Sequence, residues 1–471
     1  MASVLPSNLS FFMSRLQGVG TSHFKVNPQT TGSVVAGNIV RFELPSNTLL
    51  SFRSLRLMFN ATTTPADKAI SLPNDISSLI ERCSVYVGGV LVANGFNGYN
   101  TLIHAKAALQ GYKCGMLAHP EMVRAIKYHD GDLTAITDVL PETYSDTDDY
   151  NAFCIDNFEG FLGTCEPSIM DTGALSTIVI EFQMADANVC GSSAGRSLEG
   201  SGAADFTDTV SPTPSTPIYT VKNMTLQVEV IQLATNVLDT IVEQRIAQVG
   251  YLSVPFKNYF SFSNTHSSTT RFNVNSASWD RLWVVYRDEN YNATKAPVRI
   301  KGYKKKGAFT GLTAGAATVD GVDIGLPEYD VGGSGALGTN CEKYKPFYFN
   351  FKQIGLSSTA RFQLSINSAN IPSYPMTVPE AYAMSMNSLD YYDKNHKITL
   401  DQYKNNYFIQ CFRFCLPDSD YSRLASGIDC RGVSSSCAIT TNGVTSCNMT
   451  LFAECSSELR IGAGRQIEVV V

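Results

Sequence analysis

The sequence predicts an all-β chain built as two tandem sandwiches, with few short helices and long surface loops. Three observations carry this. Short runs with period two recur between Gly, Pro and Asn. In Thr225-Leu226-Gln227-Val228-Glu229-Val230 the alternation places Leu226, Val228 and Val230 on one buried face. The chain also echoes itself. Asn223-Met224-Thr225-Leu226 returns as Asn448-Met449-Thr450-Leu451, and Arg41-Phe42-Glu43-Leu44-Pro45-Ser46 is paralleled by Arg271-Phe272-Asn273-Val274-Asn275-Ser276, in the same order and at offsets of 225 and 230. Two such echoes indicate one fold used twice. Finally, 471 residues exceed what one core usually serves, whereas half that length suits a single all-β domain. Strands that do not alternate with helices point to a sandwich or jelly roll rather than a parallel sheet.

The elements follow in order. Residues 1–30 read as an N-terminal arm in which Leu5, Leu9, Phe12, Met13 and Leu16 share one face at helical spacing, either as a frayed arm or as a docking helix ordered on assembly. The first sandwich takes residues 31–238. Its strand Phe52 to Phe59 turns Leu55, Leu57 and Phe59 inward with Arg56 opposed. Asn74-Asp75 opens a short turn through Ile76, Leu79 and Ile80. Cys83 to Val87, Gly88-Gly89 and Val90 to Ala93 form a hairpin, because paired glycines supply the positive φ of a two-residue turn. Asn100 caps a helix from Thr101 to Gln110, with Leu102, Ile103, Ala105 and Leu109 apolar and Gly111 as its stop.

Residues 186–217, rich in Gly, Ser, Thr and Pro, form a surface loop, and a linker over 239–250, between Asn236 and Gly250, leads to the second sandwich at 251–471. There Tyr251 to Phe262 and the aromatic, basic Trp279 to Tyr286 are strands, and residues 302–340 are the matching surface loop. Pro379 suits a first helical turn, so a Met-rich helix covers Glu380 to Leu389. Asn223 and Asn448 each open the last core strand of a half. Ile467 to Val471 is a further strand.

Composition restricts function. The chain is 44% hydrophobic and only 17% charged, against roughly 25% charged in average soluble domains. Such a surface suits burial against copies of itself. A net charge of −6 argues against a protein that wraps nucleic acid or reads its sequence, since phosphate binding needs clustered Lys and Arg. No basic leader with an apolar segment and no membrane-length apolar run is visible, so the cytosol or nucleus is the expected compartment. The sequons at Asn8, Asn60, Asn223, Asn292 and Asn448 then read as unused. Cys411, Cys415, Cys430, Cys437, Cys447 and Cys455 crowd the C-terminal region. They read as small buried hydrophobes, with a disulfide formed late in an oxidising medium as the alternative and zinc disfavoured by their spacing.

Chemistry is sparse. Gly333-Ser334-Gly335-Ala336-Leu337-Gly338 matches a dinucleotide-binding pattern but is flanked by loop on both sides. Asp146, Asp148 and Asp149 start like a calcium loop, yet Asn151 and Asn157 stand where it needs Gly and Glu. His23, His104, His119, His129, His266 and His396 are scattered, and the neighbours His129-Asp130 do not make a dyad. Lys301 to Lys306, the one basic cluster, reads as a solvated face, with contact to nucleic acid or an anionic membrane as the alternative. No catalytic, metal or cofactor residue is assigned, and no enzyme is expected.

Two stretches carry a resemblance. Leu79-Ile80-Glu81-Arg82-Cys83-Ser84-Val85-Tyr86-Val87-Gly88-Gly89-Val90, followed by Tyr99-Asn100-Thr101-Leu102, resembles a signature in major capsid proteins of polinton-like viruses and virophages. These belong to the double jelly-roll lineage that includes adenoviruses and giant DNA viruses. Phe452-Ala453-Glu454, with Leu459 through Val470, is similar to that family's C-terminal strand. The Cys-rich tail and a somewhat shorter chain depart from it. The resemblance implies two tandem eight-stranded jelly rolls and a homotrimer that imitates a hexamer and tiles an icosahedral shell around a double-stranded DNA genome. It implies assembly in the host cytoplasm or nucleus and residence in the virion. Neighbouring capsomers are the implied partners, with penton and minor capsid proteins met through the inward-facing arm. An internal membrane is compatible with it, and the loops 186–217 and 302–340 face outward. The rival reading is a jelly-roll carbohydrate-binding or host-attachment protein; an enzyme on a β-sandwich ranks third.

Overall fold

The computed structural model describes residues 20–30, 32–63, 70–73, 76–93, 97–110, 152–175, 177–192, 219–232, 244, 246–287, 298–299, 351, 360–389, 400–405, 407–416, 427–431, 436–444 and 446–471. The first half holds β1 (Gly20–Val26), β2 (Val34–Val35), β3 (Ile39–Glu43), β4 (Leu49–Thr63), β5 (Ile70–Ser71), β6 (Ile80–Val87), β7 (Val90–Ala93), β8 (Ala152–Ile155), β9 (Ile169–Asp171), β10 (Ile178–Met184), β11 (Gly191–Ser192) and β12 (Tyr219–Gln232). Its helices are α1 (Tyr99–Gln110), α2 (Phe161–Thr164) and α3 (Thr172–Leu175). The second half holds β13 (Tyr251–His266), β14 (Thr269–Phe272), β15 (Trp279–Arg287), β16 (Val298–Arg299), β17 (Arg361–Ile366), β18 (Ala369–Met376), β19 (Ile409–Arg413), β20 (Cys437–Asn442), β21 (Cys447–Gly462) and β22 (Ile467–Val470). Its helices are α4 (Val378–Ser388) and α5 (Leu400–Asn405).

Hydrogen bonding orders the main strands as β1-β12-β4-β8 and β3-β10-β6-β7 in the first half, and as β13-β21-β15-β19 and β14-β20-β17-β18 in the second. Numbered within its own half, each set reads 1-8-3-6 and 2-7-4-5. That is an eight-stranded antiparallel jelly roll, present twice. The predicted hairpin is β6 and β7, with Val87 opposite Val90 and Gly88 and Gly89 at φ 57° and 82°. Leu226, Val228 and Val230 face inward, as do Leu55, Leu57 and Phe59.

The sequence echo is a register. Leu226 lies between Val26 and Leu57, and Leu451 lies between Phe262 and Val284. Both sit on the eighth strand between the first and third. Arg41 and Arg271 sit on β3 and β14, the second strand of each half. The halves agree at finer detail. Phe52 N–H donates to the Ser168 carbonyl at 2.8 Å, and Trp279 N–H, in the matching place, donates to that of Ile428 at 2.9 Å.

Three expectations change. Gly20–Val26, placed in the arm by the sequence reading, is a strand paired to β12 along its whole length, with Val26 packed on the core; residues 1–19 lie outside the described residues. Asn223 does not open its strand. Four residues precede it in β12, and it takes φ 53° where the pairing with β4 shifts between Lys222 and Thr225, a bulge that Asn tolerates. Asn100 is inside α1 rather than its cap. The helix starts at Tyr99, with the Gly98 carbonyl accepting from Leu102 N–H at 3.1 Å, and the Asn100 amide instead donates to the Ser78 carbonyl and Glu81.

In the second half, α4 starts one residue before Pro379 and carries a capping box between Thr377 and Glu380. Ile76–Leu79 is the expected short turn, although Asn74 and Asp75 lie outside the described residues. So does all of the 302–340 loop. The 186–217 loop is described only to Ser192, and its β11 pairs in parallel with β16 of the other half and antiparallel with β5. The buried apolar side chains of both halves form one contiguous core. Among the described residues no helix is long and apolar enough to cross a membrane.

Candidate functional site

Every residue of β15 is buried. An outer sheet of a jelly roll normally alternates, with one face in and one toward water. The matching β4 does so, its Arg53 exposed and its Ser54, Arg56, Met58 and Asn60 half-buried. On β15 the outward residues Arg281, Trp283, Val285 and Arg287 are covered because α1 and the Glu159–Glu166 segment of the first half pack over them. This joint is the most built part of the described molecule.

Its centre is a set of charges contributed by both halves. Lys106 of α1 donates through Nζ to Glu159 Oε2 at 2.8 Å and to Tyr259 Oη of β13 at 3.0 Å, with the Tyr259 ring 5.4 Å and the Trp283 ring 5.9 Å away. Tyr259 Oη donates to Glu159 Oε2 at 3.2 Å. Arg281 donates to Glu454 Oε1 at 2.9 Å, and Trp283 Nε1 to Glu454 Oε2 at 3.1 Å. Arg287 donates to Thr101 Oγ1 of α1, and its guanidinium lies 5.5 Å from the Phe351 ring. At one side Lys257 Nζ donates to Asp280 Oδ2 at 2.7 Å and Ser456 Oγ at 3.0 Å.

Backbone and apolar contacts fix the geometry around these charges. Glu166 N–H donates to the Pro255 carbonyl at 3.0 Å, and Lys257 N–H to Thr164 Oγ1 at 2.9 Å, so the outer edge of β13 is occupied by the first half. Phe161 of α2 meets Phe52 at 5.8 Å and Phe256 at 5.2 Å, both edge-on, and so joins the two cores. Gly98 is required where α1 begins. Its φ is +82°, and a Cβ there would come within 3.4 Å of Phe452.

The electrostatics follow from this packing. Burial disfavours the Glu454 carboxylate, but Arg281, Lys106, Lys257 and the Trp283 N–H outweigh it and hold the pKa at about 2. Burial likewise works against the Lys106 ammonium, yet Glu159 and Glu454 raise its pKa above the usual lysine value. Glu81 goes the other way: burial raises it more than Arg287 and its hydrogen bonds lower it. The groups are engaged with one another and enclosed. Such an arrangement fixes one body against another.

The groups weighed in the sequence fall elsewhere. His104 pairs with Ser78 beneath α1, and His266 lies between Thr270 Oγ1 at 2.7 Å and Thr441 Oγ1 at 2.6 Å, burial pushing its pKa down. His23 is on the exposed β1. His119, His129, His396, the aspartates at 146, 148 and 149, the glycines at 333–338 and the 301–306 cluster lie outside the described residues. Cys411, Cys430, Cys437, Cys447 and Cys455 are buried and Cys415 is half-buried. Among the described residues no group of three His, Cys, Asp or Glu has metal-binding geometry. The sequence reading named Glu81 and Glu454 only within the stretches that carry the resemblance, and Arg281 only within the strand Trp279 to Tyr286, and did not bring the joint's charges together. The only local signal was three ionisable residues, Asp280, Arg281 and Arg287, inside a strand that otherwise reads as buried.

No family model matches the sequence, and a search of curated proteins finds no match. Solved structures match in fold. The chain is similar to PBCV-1 VP54, as fitted into a reconstruction of the virophage Sputnik, at 14% identity and a TM-score of 0.56 over 97% of this chain and 98% of that one. It is similar to the PBCV-1 virus capsid at 13% identity and a TM-score of 0.57, over 97% and 98% of the two chains. The Faustovirus major capsid protein matches at 9% identity and a TM-score of 0.51, over 96% and 94%. At these identities the likeness is one of fold, and it extends over nearly the whole chain.

Proposed function

We propose that this chain is a viral major capsid protein. It associates as a homotrimer whose six jelly rolls imitate a hexamer, and these tiles form an icosahedral shell around a double-stranded DNA genome. The observation that carries the reading is the joint: two equivalent jelly rolls are fastened by buried hydrogen bonds between Lys106, Glu159 and Tyr259 and from Arg287 to Thr101, and by a shared core, into one body, as a tile requires and a lone binding module does not. The full-length likeness to capsid proteins supports it over carbohydrate binding. The N-terminal residues that precede β1 meet penton and minor capsid proteins at the interior, neighbouring capsomers bind through the sides, and the segments 186–217 and 302–340 face outward. The role is structural, without catalysis or cofactor, and its place is the virion. Electron microscopy of the chain expressed alone tests it. Trimers that assemble into shells or sheets are expected, and a protein that stays monomeric at every concentration overturns the reading.

A further inference from the structure

The pair Asn-Gly occurs three times in the chain, as Asn94-Gly95, Asn97-Gly98 and Asn442-Gly443. With no side chain on the second residue, its backbone nitrogen can reach the asparagine side-chain carbon, so the three are alike in intrinsic reactivity. The fold treats the two described pairs differently. Gly98 immediately precedes α1, inside the joint. Its N–H donates to Glu81 Oε1 at 3.2 Å, its carbonyl accepts from Leu102 N–H at 3.1 Å, and Phe452 lies 3.4 Å from where a Cβ would stand. The nitrogen that would attack Asn97 is therefore held in place. Asn94 and Gly95 lie outside the described residues.

Asn442 is set otherwise. It is the last residue of β20, and with Gly443 it begins the short connection to β21, both residues exposed. The ladder with β17 ends there, at the pair Arg361 and Asn442, and Gly443 has φ 70°. Among the described residues no group accepts from the Gly443 N–H. Because β20 alternates, with Cys437, Ile439 and Thr441 inward, Asn442 points outward, on the face that Arg361 shares in β17.

We infer that Asn442-Gly443 is a self-modifying site, at which the folded protein converts the asparagine to isoaspartate and aspartate without an enzyme and keeps its fold. The Gly443 nitrogen gives its proton to water and bonds to Asn442 Cγ, the Cγ–Nδ2 bond breaks, and ammonia leaves. Water then opens the cyclic imide at either carbonyl, and no electrons pass to or from another group. Each event adds a negative charge to an exposed turn. Arg361 stands across the ladder from it, so the new carboxylate meets an opposite charge. The conversion is slow and first-order, and the charged fraction records the time since folding at a rate set by the turn.

The test incubates the full chain in mildly alkaline buffer, with a parallel sample in urea, and maps peptides by mass spectrometry for the change from amide to acid. In the native protein Asn442 is expected to convert at least about tenfold faster than Asn97, because the latter reacts only when the joint opens. In urea the two rates converge, since only the sequence then matters. Asn442→Asp, the direct product, is expected to melt at the wild-type temperature. Equal native rates at Asn442 and Asn97 overturn the inference, as does an Asn442 that stays intact in the native protein while reacting in urea. An Asn442→Asp variant that melts well below the wild type also overturns it, since the turn then rejects its own product. None of these outcomes bears on the capsid reading, which assembly decides.

Discussion

Lys106 and Glu454 share one buried cluster although they belong to different jelly rolls, the lysine on α1 and the glutamate on β21, and each shifts the other toward its charged form. Each is paired within its own half, Lys106 with Glu159 and Glu454 with Arg281. The boundary itself is crossed by Tyr259, which accepts from Lys106 and donates to Glu159, and by Arg287, which donates to Thr101, and these contacts set one jelly roll against the other.

Lys106→Met should destabilise the protein by about 3–5 kcal/mol, the usual cost of leaving a buried charge uncompensated. Adding Glu159→Gln should recover part of the loss, because the orphaned carboxylate is then neutral. Urea denaturation of the three proteins measures both. Equal midpoints for wild type and Lys106→Met would show that the lysine contributes no net stability.

Acid should weaken the joint. Glu454 has a folded pKa of about 2, below the roughly 4.3 of an unfolded glutamate. The unfolded chain therefore takes up the proton first, and the stability is present above about pH 4.5 and lost as pH falls toward 2. The full effect is of order 3 kcal/mol. Denaturation midpoints followed from pH 6 to pH 2.5 should fall more steeply in the wild type than in Glu454→Gln, and parallel curves would contradict the assignment.

Phe161→Ala should cost about 3–5 kcal/mol, as for other buried aromatic truncations. It should also separate the melting of the two halves, since that ring links Phe52 to Phe256. Calorimetry should show one transition in the wild type and two in the variant.

Gly427→Ala should prevent native packing around β15. A Cβ there would overlap the Trp279 carbonyl oxygen and Asp280 Oδ1, and the Gly427 N–H is held by Ser278 Oγ at 3.0 Å. Trp279 is fully enclosed, so its fluorescence should shift to the red in the variant.

Burial pushes the thiols of Cys83, Cys165, Cys190 and Cys455 up to about 12. At pH 8 they should resist alkylation in the native protein and react fully in urea. Mass spectrometry of the labelled peptides reads this site by site.

Much of the fold was legible because it is written locally. Alternation marks Leu226, Val228 and Val230 as inward, and paired glycines mark the turn after Val87. The echo was legible for a different reason: equivalent strands in two copies meet the same neighbours, so Leu226 and Leu451 are held to the same chemistry. The bulge at Asn223 was missed because nothing in its neighbours signals a positive φ. The joint was missed because its members are far apart in sequence, and a lysine in an amphipathic helix looks the same whether it faces water or another domain. The departure of β15 from alternation was the available sign. It marks a strand buried on both faces, and therefore a second body over the sheet.

Glu454 leaves the ribosome 348 residues after Lys106. During synthesis the first jelly roll can close as soon as β12 meets β1 and β4, with Lys106 paired to Glu159, but the Tyr259 hydroxyl and the Glu454 charge that complete the cluster come later. A product that stops short of β21 leaves Lys106 without Glu454 and bares the surface around Phe161. Only a chain translated through both copies encloses these charges completely.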